Sequence, residues 1–158
     1  MSHSTAEPPQ RDLHALISEH SGGEGPLLPM LHAIQAAYGH IPQKAIPLIA
    51  DALNLTKAEV HGVVTFYHDF RETPAGRHVI KLCRAEACQS VGGAALADRV
   101  LGKLGLDWGG TTANGAVTVE AVYCLGLCAC GPAAMVDGKV VGRVDDTRMA
   151  KILTEAGA

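Results

Sequence analysis

The chain has 158 residues, of which 47% are hydrophobic, 18% charged and 4% aromatic, with a formal net charge of -3. That length suits one medium domain or two small ones, and it can bury a core without disulfides. The acidic balance argues against a nucleic-acid partner, no apolar run approaches the ~20 residues that span a bilayer, and Met1–Gln10 is polar with no apolar signal core. The expectation is a cytoplasmic protein with neither membrane nor nucleic acid as partner. All five cysteines lie between Cys83 and Cys130. An odd number in a chain with no export signal fits a disulfide framework poorly.

Residues 1–9 read as a disordered end. From Arg11 to Phe70 the apolar period is helical. Leu13, Leu16, Ile17 and His20 recur at helical spacing, and so do Leu27, Leu31, Ile34 and Tyr38. Gly39 and Pro42 interrupt the pattern. Ile46, Ile49 and Leu53 mark a third helix with Pro47 in its first turn. Thr56 and Glu59 form a capping-box pattern at the start of a fourth, with Leu55 placed to staple Val60. Val60, Val63, Val64 and Tyr67 then share one face.

Glu72 to Gly76, with Pro74 inside, reads as a linker. Val79, Ile80 and Leu82 lead into Cys83 as a short strand. Gln89 to Leu104 is predicted as one helix, with Gly92 and Gly93 weakening its first turns. Trp108 to Gly115 is a Gly/Thr/Asn loop, with Trp108 a packed loop residue. Val117, Val119, Ala121 and Tyr123 alternate with Thr118 and Glu120, which predicts a half-buried strand running out at Cys124. Asp137-Gly138 between Ala134–Val136 and Lys139–Val141 predicts a hairpin, since a type I′ turn needs positive φ at both central residues. Asp145 or Asp146 caps a last helix carrying Met149, Ile152, Leu153 and Ala156.

The fold expected is α+β, a small helical bundle over 10–71 and a linker over 72–76 followed by an α/β domain over 77–158. The order strand, helix, strand, hairpin, helix in that domain is the order of a thioredoxin-like fold.

Cys83 and Cys88 bracket four residues, and Cys124 and Cys128 bracket three. Each pair falls where a predicted strand gives way to a loop, and residues 89–123 have the length of a helical crossover between parallel strands. Two pairs of thiols thus meet at one end of one sheet, which invites a metal. A closed four-cysteine zinc site, in which the protein is a structural adaptor, is one reading, although zinc ribbons favour Cys-x-x-Cys knuckles that are absent here. A [2Fe–2S] rhomb, with one pair on each iron, is the other. Ala85, Ala87, Gly126, Ala129 and Gly131 are small enough to let backbone N–H groups approach the sulfurs, as such a cluster needs. Dithiol–disulfide catalysis is disfavoured by the same lack of Cys-x-x-Cys. Spacing alone leaves Cys128 and Cys130 as alternatives for the fourth ligand. Arg84 and Arg143 are candidate cations near the sulfurs, or else ordinary surface arginines, and Glu86 is expected to face water. His61 and His68, seven apart, share a helix face and read as surface histidines.

Three segments carry a family resemblance: Gly62-Val63-Val64-Thr65-Phe66-Tyr67, Cys83-Arg84-Ala85-Glu86-Ala87-Cys88, and Cys124-Leu125-Gly126-Leu127-Cys128 followed by Gly131-Pro132-Ala133. Over about residues 25 to 155 the chain resembles the thioredoxin-like [2Fe–2S] subunits. These include the 24-kDa-type subunit of respiratory complex I, the small diaphorase subunit of NAD-reducing hydrogenases and the gamma subunit of soluble NAD-dependent formate dehydrogenases. The extended motifs Cys83-Arg-Ala-Glu-Ala-Cys-Gln-Ser and Tyr123-Cys-Leu-Gly-Leu-Cys-Ala-Cys-Gly-Pro look most like the formate dehydrogenase gamma subunits. The resemblance implies a thioredoxin-like [2Fe–2S] ferredoxin domain with Cys83, Cys88, Cys124 and Cys128 as iron ligands, and it prefers Cys128 to Cys130. It implies no substrate turnover by this chain alone, a flavin/NADH-binding partner subunit and a molybdenum-containing formate dehydrogenase subunit. FMN, NAD and the molybdenum cofactor are then expected only in those partners, since the chain has no dinucleotide fingerprint or Walker A motif. The helical half reads as a docking element.

Overall fold

The computed structural model describes residues 10–158; the disordered end expected over 1–9 lies outside them. The chain divides into two compact units at the Pro74–Ala75 boundary.

The first unit contains α1 (Gln10–His20), α2 (Leu27–Tyr38), α3 (Ala45–Leu53) and α4 (Lys57–Phe66). Leu13, Ile17, Leu31, Ile34, Ile49, Val60 and Val64 are buried together, so the helical periodicity marks the faces that meet. Each fully buried Leu or Ile contributes roughly 1.5–3 kcal/mol. Gly39 ends α2 in the left-handed region at φ 74, and its N–H donates to the Gln35 carbonyl. The capping box forms: Glu59 N–H donates to Thr56 Oγ1 at 3.2 Å, and Thr56 N–H donates to Glu59 Oε2 at 2.8 Å. Leu55 packs against the cluster that contains Val60. One expectation changes. α4 stops at Phe66 because Tyr67 turns to extended backbone, so His68 lies beyond the helix and does not share its face with His61. His61 instead pairs with Glu72 at 3.3 Å.

The second unit is a four-stranded sheet with its helices. The strands are β1 (His78–Cys83), β2 (Val117–Val122), β3 (Ala134–Val136) and β4 (Lys139–Val141), in the order β2-β1-β3-β4. β1 and β2 run parallel with Cys83 opposite Val122, and β3 runs antiparallel to β1 with Ala134 opposite Leu82. The helices are α5 (Glu86–Ser90), α6 (Gly93–Leu104) and α7 (Asp146–Glu155). α6 and α7 complete the core, where Leu96, Val100, Met149 and Leu153 join Ile80, Leu82, Val117 and Val119. The hairpin turn has Asp137 at φ 48 and Gly138 at φ 81, as a type I′ turn requires. Asp145 is the cap of α7, accepting from Arg148 N–H at 2.7 Å, while Asp146 binds Arg99 at 2.8 Å.

Two expectations are corrected in this unit. The single helix predicted over 89–104 is two helices, α5 and α6, because Gly92 takes φ 92 and breaks the hydrogen-bond ladder between them. Thr118, expected on a wet face of β2, is buried at 3% exposure. The loop from Gly109 folds back over it, and its hydroxyl accepts from Gly76 N–H at 2.7 Å and pairs with Thr111 Oγ1 at 2.7 Å. Among the described residues, no helix is long and apolar enough to cross a membrane.

Candidate metal centre

Parallel pairing puts the C-terminal ends of β1 and β2 side by side, so the segments that leave them start as neighbours. The ladder continues one residue further, with Arg84 N–H donating to the Val122 carbonyl at 2.8 Å. After Ala85 the chain turns at once into α5, a helix of little more than one turn. That turn swings Cys88 back toward Cys83, and the two thiols share a hydrogen bond. Both are buried, at 5% and 2% exposure. The start of α6 presses on this pair. A Cβ on Gly93 would lie 2.6 Å from the Cys88 carbonyl oxygen, so only glycine allows the approach.

The second pair is built by a loop. Cys124 adopts φ 112, outside the range that L-residues favour, and Gly126 adopts φ 75. Cys128 opens a 3-10 turn that runs to Cys130. The sulfurs of Cys124 and Cys128 lie 3.8 Å apart, and Gly126 N–H donates to Cys124 Sγ at 3.4 Å. Both residues are exposed.

Backbone hydrogen bonds join the pairs. The N–H groups of Cys124 and Leu125 donate to the Cys83 sulfur, as does that of Ala85, and Ala133 N–H donates to the Cys88 sulfur. Burial pushes the Cys83 thiol up, but the Ala85 N–H, the Cys88 thiol and the two donors from the other loop outweigh it and hold it below the ordinary thiol range. Burial pushes the Cys88 thiol up, and the neighbouring Cys83 adds to this. The hydrogen bond from Cys128 to Cys124, together with like charge there, pushes Cys128 up. Cys83 and Cys128 also repel one another when ionised. Four thiols so close cannot all ionise without a cation between them.

Cys130 stands apart. It is half-buried against the segment after β4, where a Cβ on Gly142 would come within 2.8 Å of its Cβ, and its carbonyl accepts from Arg143 N–H. The structure therefore brings Cys83, Cys88, Cys124 and Cys128 together and leaves Cys130 facing the end of β4. Ala85 and Gly126 are N–H donors, as their size suggests. Leu125, Ala133 and Cys124 itself are donors that side-chain identity cannot reveal, because backbone direction carries no residue signature. Gly131 has a steric role, facing Val91 Cγ2 and the Cys88 sulfur, where a Cβ would come within 2.9 and 3.5 Å. Glu86 is not buried, in keeping with a side chain that faces water. Trp108 packs against the core and in addition carries the Arg84 guanidinium over its ring, 4.9 Å from the centroid.

This donor set would suit an iron–sulfur cluster: two pairs of soft thiolate ligands, N–H groups aimed at sulfur, and small residues between them.

Comparison with known proteins points the same way. The family model of the thioredoxin-like [2Fe-2S] ferredoxins matches residues 13–157. NADP-reducing hydrogenase subunit HndA of Solidesulfovibrio fructosivorans is 32% identical over 149 residues, covering 94% of this chain and 87% of that protein. The E subunit of the NADH-quinone oxidoreductase of Pseudomonas aeruginosa is 37% identical over 123 residues, covering 78% of this chain and 74% of that one. Among solved structures, an NAD+-reducing [NiFe]-hydrogenase in the air-oxidised state superposes with a TM-score of 0.67 at 26% identity over 80% of this chain, which spans only 22% of that larger chain. The chain belongs to the thioredoxin-like [2Fe–2S] ferredoxin family, and its cofactor is one [2Fe–2S] cluster.

Proposed function

We propose that this chain is the electron-transfer subunit of a cytoplasmic NAD-linked oxidoreductase complex, and that Cys83, Cys88, Cys124 and Cys128 hold its cluster. The observation that carries the proposal is the meeting of two thiol pairs at the ends of parallel β1 and β2, with N–H groups of the second loop donating to a sulfur of the first. When bound, the cluster takes up and gives back one electron at a time. The chain's own part is electrostatic and steric. The N–H groups of Ala85, Cys124, Leu125, Ala133 and Gly126 point at sulfurs, where they offset the negative charge added on reduction. Burial of Cys83 and Cys88 keeps water from one side, while exposed Cys124 and Cys128 leave a short path to a partner.

Within that class we assign the chain to the gamma subunit of a molybdenum-containing, NAD-dependent formate dehydrogenase. Its partners are then an FMN- and NADH-binding subunit and a molybdenum-containing subunit. The residues between Cys83 and Cys88, and those from Tyr123 to Pro132, support this branch over the small diaphorase subunit of a hydrogenase or the 24-kDa-type subunit of complex I. One-electron centres bridge the two-electron chemistry of formate and of NAD at flavin.

Metal and sulfide analysis with a visible spectrum tests the first assignment. The expected protein is reddish-brown, has about two irons and two sulfides per chain, and gives an electron paramagnetic resonance signal on reduction. A colourless protein with stoichiometric zinc overturns it in favour of a structural adaptor. Native purification of the tagged chain tests the second. Co-purifying flavin, molybdenum and formate-dependent NAD reduction are expected, whereas nickel and hydrogen-dependent reduction move the chain to the hydrogenase branch. A free monomer serving several partners makes it a stand-alone ferredoxin.

A further inference from the structure

Arg84 follows the buried ligand candidate Cys83 directly, and its whole conformation is held. Its N–H donates to the Val122 carbonyl at 2.8 Å, its carbonyl accepts from Gln89 Nε2 at 2.5 Å, and its guanidinium lies over the Trp108 ring at 4.9 Å. Among the described residues, no carboxylate lies within ion-pairing distance of that guanidinium. Trp108 is itself fixed, packed on the second unit's core, with the next residue's N–H donating to the Val119 carbonyl at 2.8 Å. An exposed arginine normally samples many rotamers, and its field is averaged and screened. Here an aromatic face selects one position for a positive charge that has no ion-pair partner among the described residues and is carried by the residue next to Cys83, at the modest gain typical of cation–π contacts.

We propose that Trp108 is a positioning residue that holds Arg84 as a fixed cation for the cluster, so that the pair raises the cluster's midpoint potential. The proposal rests on the cluster assignment above. Gln89 supports it by holding the Arg84 carbonyl, and the Gly109–Val119 hydrogen bond by holding the tryptophan loop. Neither partner touches a sulfur in this role, and the effect travels through charge alone.

Potentiometric titration of the purified, cluster-loaded chain, followed by visible absorption, provides the test. Arg84→Gln should lower the reduced-to-oxidised ratio at a fixed poise by roughly 3- to 10-fold, the effect of one charge at several ångströms in a partly wet site. Trp108→Leu should lower it in the same direction, because the guanidinium is released to solvent. Trp108→Phe keeps an aromatic face and should retain most of the wild-type value. The double variant Arg84→Gln/Trp108→Leu should match Arg84→Gln alone. The wild-type advantage should shrink as salt rises from about 10 mM to about 1 M, where the Debye length falls from ~30 to ~3 Å. A loaded chain whose potential is unmoved by Arg84→Gln overturns the proposal. So does a Trp108→Leu shift that persists in the Arg84→Gln background, since the tryptophan would then act through packing. A chain with no cluster to titrate overturns the cluster assignment instead, so the two failures are distinguishable.

Discussion

The two cysteine pairs have the same side chains and nearly the same spacing, yet they are built in opposite ways. Cys83 and Cys88 are buried, held by the end of a central strand and one turn of helix, with α6 pressed against them through Gly93. Cys124 and Cys128 are exposed, held by a loop with positive φ at Cys124 and Gly126 and by a 3-10 turn. Regular structure buries a pair with little backbone distortion, whereas a loop that must aim both its thiols and its amides does so through unusual dihedrals. The positive φ at Cys124 redirects the chain that follows it, and the N–H groups of Cys124 and Leu125 both reach the Cys83 sulfur of the other pair. The rigid pair and the exposed pair are therefore one unit, joined by main-chain donors.

The strongest way to break this comparison is to remove single thiols. Replacing Cys83, Cys88, Cys124 or Cys128 by Ala should each abolish or grossly alter the cluster, measured as iron per chain and visible spectrum, while Cys130→Ala should keep both. Loss with Cys130→Ala alone, and none with Cys128→Ala, would exchange their roles. Next in size is the packing behind the buried pair. Gly93→Ala must displace the Cys88 carbonyl and should cost about 2–3 kcal/mol in urea unfolding, with reduced iron occupancy. Gly126→Ala, which forces a side chain onto φ 75 in open space, should cost only about 1 kcal/mol. Equal losses at the two glycines would erase the distinction between a packed pair and a looped one.

Reactivity sharpens the contrast further. In the cluster-free chain, iodoacetamide should label Cys124 and Cys128 faster than Cys83 and Cys88, by roughly tenfold or more, as read by peptide mass spectrometry. The depressed Cys83 thiol favours early labelling of Cys83 alone, since burial pushes Cys88 up, so the place of Cys83 in the order decides whether thiolate character or burial governs that residue. The smallest effect belongs at the other end of β1. Burial raises the Asp137 carboxyl, but His78 at 2.7 Å and Val79 N–H at 2.9 Å outweigh it and hold it below the usual carboxylate range. Its contribution is therefore present above the unfolded carboxylate value and lost as pH falls through the lower folded one. Because the pair is largely exposed, Asp137→Asn should cost no more than about 1 kcal/mol at neutral pH and flatten that acid limb, with cluster content unchanged.

Much of the fold and of the site is legible in the residues. The capping box at Thr56 and Glu59, the Asp137-Gly138 turn and the apolar periods of the first four helices are local signals, and short-range geometry suffices to read them. The break at Gly92 is less legible, because a glycine pair inside a helical pattern is compatible with a weak helix as well as with two. Thr118 escapes a local reading for a non-local reason: its burial comes from a loop that returns over an edge strand. The heptad spacing of His61 and His68 suggests a shared helix face, but the helix ends two residues before His68.

By itself, the sequence determined the α+β class, the two thiol pairs and the odd fifth cysteine, since these follow from periodicity, spacing and counting. Only the tertiary structure decided which pair is buried, which amides face which sulfur, that Cys130 turns toward the end of β4, and that Trp108 carries Arg84. Those outcomes depend on the parallel register of β1 with β2 and on backbone direction in two loops, and neither is encoded in the identity of any single residue.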